Sequence, residues 1–75
     1  LLTNVRVADP TALDGAARVH EAIARESESL LRRGRVLVRP SGTERLVRVM
    51  VEAPSSREAS EVSDRLVALI ESELA

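Results

Sequence analysis

The sequence predicts an α+β fold of order β-α-β-β-α: a three-stranded, mostly antiparallel sheet with two helices packed on one face. Three observations carry this reading. Apolar and polar residues alternate in three short runs, 1–7, 35–39 and 46–52, which is the period of half-buried strands. Apolar residues recur at three- and four-residue steps in two longer runs, 14–31 and 55–74, which is the period of amphipathic helices. The second and third strand runs flank a short segment holding Pro, Ser and Gly, ordinary residues of a hairpin turn.

In the first strand, Leu1, Thr3, Val5 and Val7 alternate with Leu2, Asn4 and Arg6. Asp9-Pro10 breaks the pattern. A helix is expected from Asp14 to Leu31, with Asp14 as N-cap and with Val19, Ala22, Ile23 and Leu30 on its apolar face. Gly34 is expected to stop it, and Arg32 and Arg33 suit a helix C-terminus electrostatically. In the central hairpin, Val36 and Val38 share one face with Val47, Val49 and Val51, while Arg39 and Arg48 share the other. Pro54 ends the last strand. Ser55 and Glu58 then have the spacing of a capping box, and Ala59, Val62, Leu66, Leu69 and Ile70 form the stripe of the second helix.

With no Phe, Tyr or Trp, the core must be built from Val, Leu, Ile and Ala. A chain of 75 residues buries only about 60–65% of its unfolded surface. Such a core is marginal alone, and the absence of Cys rules out a disulfide staple. The chain opens directly in strand-like sequence and reads as one domain, 1–75, of a larger protein. Its longest apolar run, Leu66 to Ile70, is far too short to span a membrane, so no membrane partner is expected.

The net charge of −1 hides a segregation. Arg32, Arg33, Arg35, Arg39, Arg45 and Arg48 share their stretch with one acid, Glu44, whereas the rest of the chain is acidic. One basic patch on an acidic body suits a small anion. Nucleic acid is not an expected partner, since it would call for a wider basic surface and for aromatic platforms.

The basic stretch contains Arg39-Pro40-Ser41-Gly42-Thr43-Glu44. Arg39 offers a planar fork matched to two phosphate oxygens. Ser41 and Thr43 add hydroxyls. Gly42 can adopt φ > 0, which would let successive N–H groups converge on one anion. Glu44 pairs with Arg45 or Arg48, bonds back onto the turn, contacts a sugar, or orients a loop Arg. Arg48 is a supporting positive charge or half of a salt bridge, and Arg32, Arg33 and Arg35 read as helix-end and solvated charges. No catalytic set is visible. His20 stands mid-helix with no nearby Cys or Asp to form a metal or nucleophile set and reads as helix surface, and the scattered acids form no Asp-x-Asp run that would hold Mg²⁺.

The wider string GRVLVRPSGTERLVRVMVEA, Gly34 to Ala53, closely resembles the C-terminal phosphate-binding loop of the α-D-phosphohexomutases, and within them the phosphoglucosamine mutase branch. One departure is Arg45, where the family usually has Pro. The resemblance implies an isomerase of several domains, cytoplasmic and acting in amino sugar metabolism. In such an enzyme a phosphoserine and Mg²⁺, both held by preceding domains of the same polypeptide, interconvert glucosamine 6-phosphate and glucosamine 1-phosphate. It implies that Arg39, Ser41, Gly42 and Thr43 grip the phosphate that is not transferred. This chain would hold neither the catalytic residue nor the metal and would be inactive alone. The alternatives are the same domain of a phosphomannomutase or phosphoglucomutase, a stand-alone anion-binding module, and an interaction domain whose basic patch meets an acidic surface.

Overall fold

The computed structural model describes residues 1–31 and 33–74. The elements run β1 (Leu2–Arg6), a 3₁₀ helix (Pro10–Gly15), α1 (Ala17–Leu30), β2 (Arg35–Pro40), β3 (Leu46–Glu52) and α2 (Ser56–Leu74). The sheet order is β1-β3-β2, and both pairings are antiparallel. β1 and β2 are therefore parallel to one another with β3 inserted between them, a split β-α-β unit. The α+β reading holds, and the sheet is antiparallel throughout.

Strand alternation sorts the residues as expected. Val47, Val49 and Val51 are wholly buried and join Val5, Val7 and Val36 beneath Val19, Leu30, Val62, Leu66 and Ile70 of the helices. β-branched side chains suit a pleated surface because their rotamers are already restricted there. One polar residue enters this layer. Ser63 is buried in α2, and its hydroxyl hydrogen-bonds that of Thr3 on β1 at 3.2 Å.

The start of the first helix differs from the expectation. Asp14 is not an N-cap; it lies inside the 3₁₀ helix, and α1 begins after Ala16, which makes no side-chain cap bond. The capping residue is Asp9, whose Oδ1 accepts from the Thr11 amide at 3.0 Å and from the Thr11 hydroxyl at 2.6 Å. Pro10, with φ preset and no N–H to satisfy, suits the first position of that turn. Asp9-Pro10 therefore opens helical structure as well as closing a strand. His20 Nε2–H donates to the Leu13 carbonyl at 2.7 Å, which fastens the 3₁₀ turn to α1 and puts a proton on Nε2.

Gly34 does not end α1 through a left-handed cap. The residue with positive φ is Leu31 (φ 53°), and no described glycine has φ > 0. Gly34 is needed for a different reason. A Cβ there would overlap the Glu52 carbonyl oxygen and lie 2.9 Å from the Glu52 carbonyl carbon, so only glycine lets this backbone approach the end of β3. Arg32, read from sequence as a helix-end charge, lies outside the described residues.

At α2, the Ser55 hydroxyl accepts from the Glu58 amide at 3.1 Å, one half of the expected capping box. The Glu58 carboxylate instead accepts from Arg33 at 3.4 Å. α1 and α2 are joined across their outer surface by Arg65 and Glu26. Arg65 donates from Nε at 2.6 Å and from Nη2 at 2.9 Å to the two oxygens of Glu26.

Candidate functional site

The helices cover one face of the sheet and leave the other open. On the open face, directly opposed residues form rows across the strands: Arg35 with Glu52; Leu37 with Met50 and Leu2; Arg39 with Arg48 and Asn4. The row of Arg39 and Arg48 borders the hairpin loop, 41–45.

The electrostatics of these rows differ. Arg35 Nε lies 3.2 Å from Glu52, and Arg33 pairs with Glu58, so two members of the basic stretch are neutralised locally. These pairs replace the solvated charges expected from sequence. Arg39 and Arg48 are both exposed, and among the described residues neither has a carboxylate within ion-pair distance. Like charges placed directly opposite on a sheet are unfavourable. The guanidiniums of Arg39 and Arg48 are thus the pair on this face that an anion would relieve.

The loop is held at its base by two short backbone bonds. The Ser41 amide donates to the Leu46 carbonyl at 2.9 Å, and the Leu46 amide donates to the Glu44 carbonyl at 2.9 Å. The second bond closes a three-residue turn around Arg45, whose φ is negative, the inverse γ form. The Arg45 carbonyl accepts from the Val7 amide at 3.1 Å and ties the loop exit to the end of β1. Its guanidinium also acts on Asp9. That carboxyl is held below the usual carboxylate range first by the hydrogen bonds from Thr11, with Arg45 adding a smaller electrostatic pull.

Inside the loop, Ser41 Oγ accepts from the Thr43 amide at 3.4 Å and from the Glu44 amide at 3.2 Å. Two consecutive N–H groups therefore converge on one point, and the Ser41 hydroxyl occupies it. This corrects the sequence reading of Gly42. Its φ is not positive, so the convergence comes from Ser41 and not from a left-handed glycine. A Cβ at Gly42 would meet nothing within 4 Å, so the space above the loop is open. Ser41 is half-buried, and Gly42, Thr43, Glu44 and Arg45 are exposed. Glu44 makes no ion pair among the described residues, with Arg45, Arg48 or any other partner; its backbone amide and carbonyl, not its carboxylate, bond into the turn.

Other features offer less chemistry. Hollows of about 490 and 360 Å³ lie at the N-terminus of α2 and between the start of α1 and Glu73, away from the loop. Among the described residues no three His, Cys, Asp or Glu side chains are grouped to hold a metal ion. No described helix is long and apolar enough to cross a membrane.

Comparison with known proteins now decides the family. Residues 2–69 match the model of the phosphoglucomutase/phosphomannomutase C-terminal domain. The chain belongs to that family. Phosphoglucosamine mutase of Saccharopolyspora erythraea is 53% identical over 70 residues, covering 93% of this chain and 16% of that protein. The phosphoglucosamine mutase of Bifidobacterium animalis is 51% identical over 74 residues, covering 99% of this chain and 16% of its own length. The fold is also similar to part of a solved N-acetylphosphoglucosamine mutase of Aspergillus fumigatus. That match has TM-score 0.84 and 27% identity, and covers 97% of this chain and 15% of the fungal one. The chain thus spans about one-sixth of the relatives it matches.

Proposed function

We propose that this chain is the phosphate-gripping domain of a phosphoglucosamine mutase, in which the loop at 39–44 holds the phosphate of the sugar that is not being transferred. The observation that carries the reading is the opposed pair Arg39 and Arg48, unneutralised and bordering a loop whose amides already converge. Arg39 supplies a two-pronged charged contact. Thr43 and Ser41 supply hydroxyls, and Gly42 leaves the approach unobstructed. Arg48, on the neighbouring strand, adds a second positive charge to the same anion. Glu44 stands beside them, unpaired, for a sugar hydroxyl.

The contacts from Arg39, Ser41, Gly42 and Thr43 read phosphate and ignore the sugar. That suits a bisphosphate intermediate that must present either phosphate in turn. A glucosamine phosphate is preferred over a mannose or glucose phosphate because the quoted curated relatives are phosphoglucosamine mutases. The catalytic serine and the Mg²⁺ site are assigned to the preceding domains of the same cytoplasmic polypeptide. The acids of this domain do not fit the metal, since no three of them converge among the described residues.

Inorganic phosphate titrated into the domain and followed by amide NMR tests the placement. Shifts at Ser41, Gly42, Thr43 and the Arg39 side chain at millimolar phosphate, suppressed by salt, are expected. Saturation with shifts confined to other surfaces would remove the loop from the reading.

A further inference from the structure

The open face of the sheet carries more than the arginine pair. Next to the row of Arg39 and Arg48 runs an apolar row, Leu2–Met50–Leu37, crossing all three strands in register. Leu2 is 60% exposed, and Leu37 and Met50 are half-exposed. Together with Arg39 and Arg48 they line a shallow hollow of about 220 Å³. Single exposed apolar residues are ordinary, but a contiguous apolar strip rimmed by charge marks a surface that something covers. The two borders differ: Arg35 and Glu52 neutralise each other on one side, while Arg39 and Arg48 remain unpaired on the other.

We infer that this strip is the seam against which the preceding part of the same polypeptide packs, leaving Arg39 and Arg48 at the seam's edge. The relatives hold about five-sixths of their length outside the matched region, and that region is their C-terminal domain. The neutral border calls for no charged partner, so the covering surface is apolar where it meets Leu2, Leu37 and Met50. A phosphosugar at Arg39 would then be held between two bodies. Only this last point rests on the phosphate reading; the covered strip does not.

Met50 is the single methionine of the chain and reports on the seam directly. The full-length polypeptide is treated with dilute hydrogen peroxide, and sulfoxide at Met50 is followed by mass spectrometry. Oxidation should run at least about ten-fold slower in the native protein than in the Leu37→Glu variant, whose charge opens the seam. Leu2→Glu, at the exposed end of the row, should act in the same direction if Leu37→Glu fails to fold. Equal rates in wild type and both variants would overturn the inference. Protection that grows with protein concentration would also overturn it, since a second copy would then be the covering body. Added phosphosugar should slow Met50 oxidation further in wild type but not in Arg39→Ala. Protection by the seam without that response would remove the phosphate reading and leave the docked strip standing.

Discussion

Arg39 and Arg48 are direct cross-strand partners on the uncovered face of the sheet, and among the described residues neither is neutralised by a carboxylate. Other arginines are matched by acids, among them Arg33 with Glu58, Arg35 with Glu52 and Arg65 with Glu26, and of the arginines without an ion pair among the described residues only Arg39 and Arg48 face each other across the strands. An unpaired like-charge couple costs stability in the free domain, and a dianion placed between the two guanidiniums recovers it. This relation separates the arginines proposed to bind from those that hold the fold.

Arg39→Ala in the full-length enzyme is expected to lower kcat/KM mainly through KM. A contact to a phosphate that stays in place is similar in the ground and transition states, so its loss acts on binding. A charge-assisted hydrogen bond contributes about 1.5–3 kcal/mol, which corresponds to a loss of about ten- to a hundred-fold. Arg39→Lys should recover part of it, keeping the charge and losing the fork. Steady-state kinetics decide the matter. A fall in kcat with KM unchanged would move Arg39 to the transferring phosphoryl group.

The loop yields a prediction in two parts. Gly42→Ala should not lower the melting temperature and should raise it slightly, because φ at 42 is not positive, the added methyl meets nothing within 4 Å, and the unfolded chain loses freedom. Its effect should be on KM, since that methyl enters the open space above the loop where the phosphate is proposed to sit. Arg45→Pro should stabilise by about 0.4–1 kcal/mol, because the turn closed by Leu46 and Glu44 already holds residue 45 near the φ that proline imposes. Thermal unfolding of both variants beside their kinetics checks this. A destabilising proline would show that the turn at 45 is not the inverse γ form.

Gly34→Ala should be the most damaging glycine substitution. The new Cβ runs into backbone atoms of Glu52 and Ala53, which cannot rotate aside, so the end of β3 must move. Overpacking of this kind costs about 1–3 kcal/mol. Gly15→Ala is the control, since its methyl would enter open space. Urea denaturation of the two variants should separate them clearly; equal stabilities would contradict the close approach.

Glu26 gives a pH prediction. The hydrogen bonds from Arg65 hold its carboxyl below the ordinary value of 4.5. A lowered folded pKa means that the pair's stabilisation is fully present above 4.5 and is lost as pH falls through the lower folded value. Arg65 is 56% exposed on its side chain, so the pair contributes about 0.2–1 kcal/mol, in the range of solvent-screened pairs. Glu26→Gln should therefore destabilise at pH 7 and progressively less on acidification. Denaturation midpoints at several pH values test the sign; a difference that grew toward acid would refute it.

What the sequence determined by itself was the kind and order of elements, the buried valine face and the position of the charged hairpin loop. These are written in spacing along the chain, a period of two for the strands and of 3.6 for the helices, and need no knowledge of what lies opposite. The tertiary structure alone decided matters that depend on through-space neighbours. Gly34 looks like a helix stop until β3 is placed against it. The arginines of the basic stretch look alike until Glu52 and Glu58 are seen to take Arg35 and Arg33, and until the strand register sets Arg39 directly opposite Arg48. Ser63 reads as an ordinary helix serine until Thr3 meets it in the core. The inward fold of the loop likewise comes from the Ser41 hydroxyl and not from Gly42, because which group satisfies an amide depends on three-dimensional reach and not on residue type.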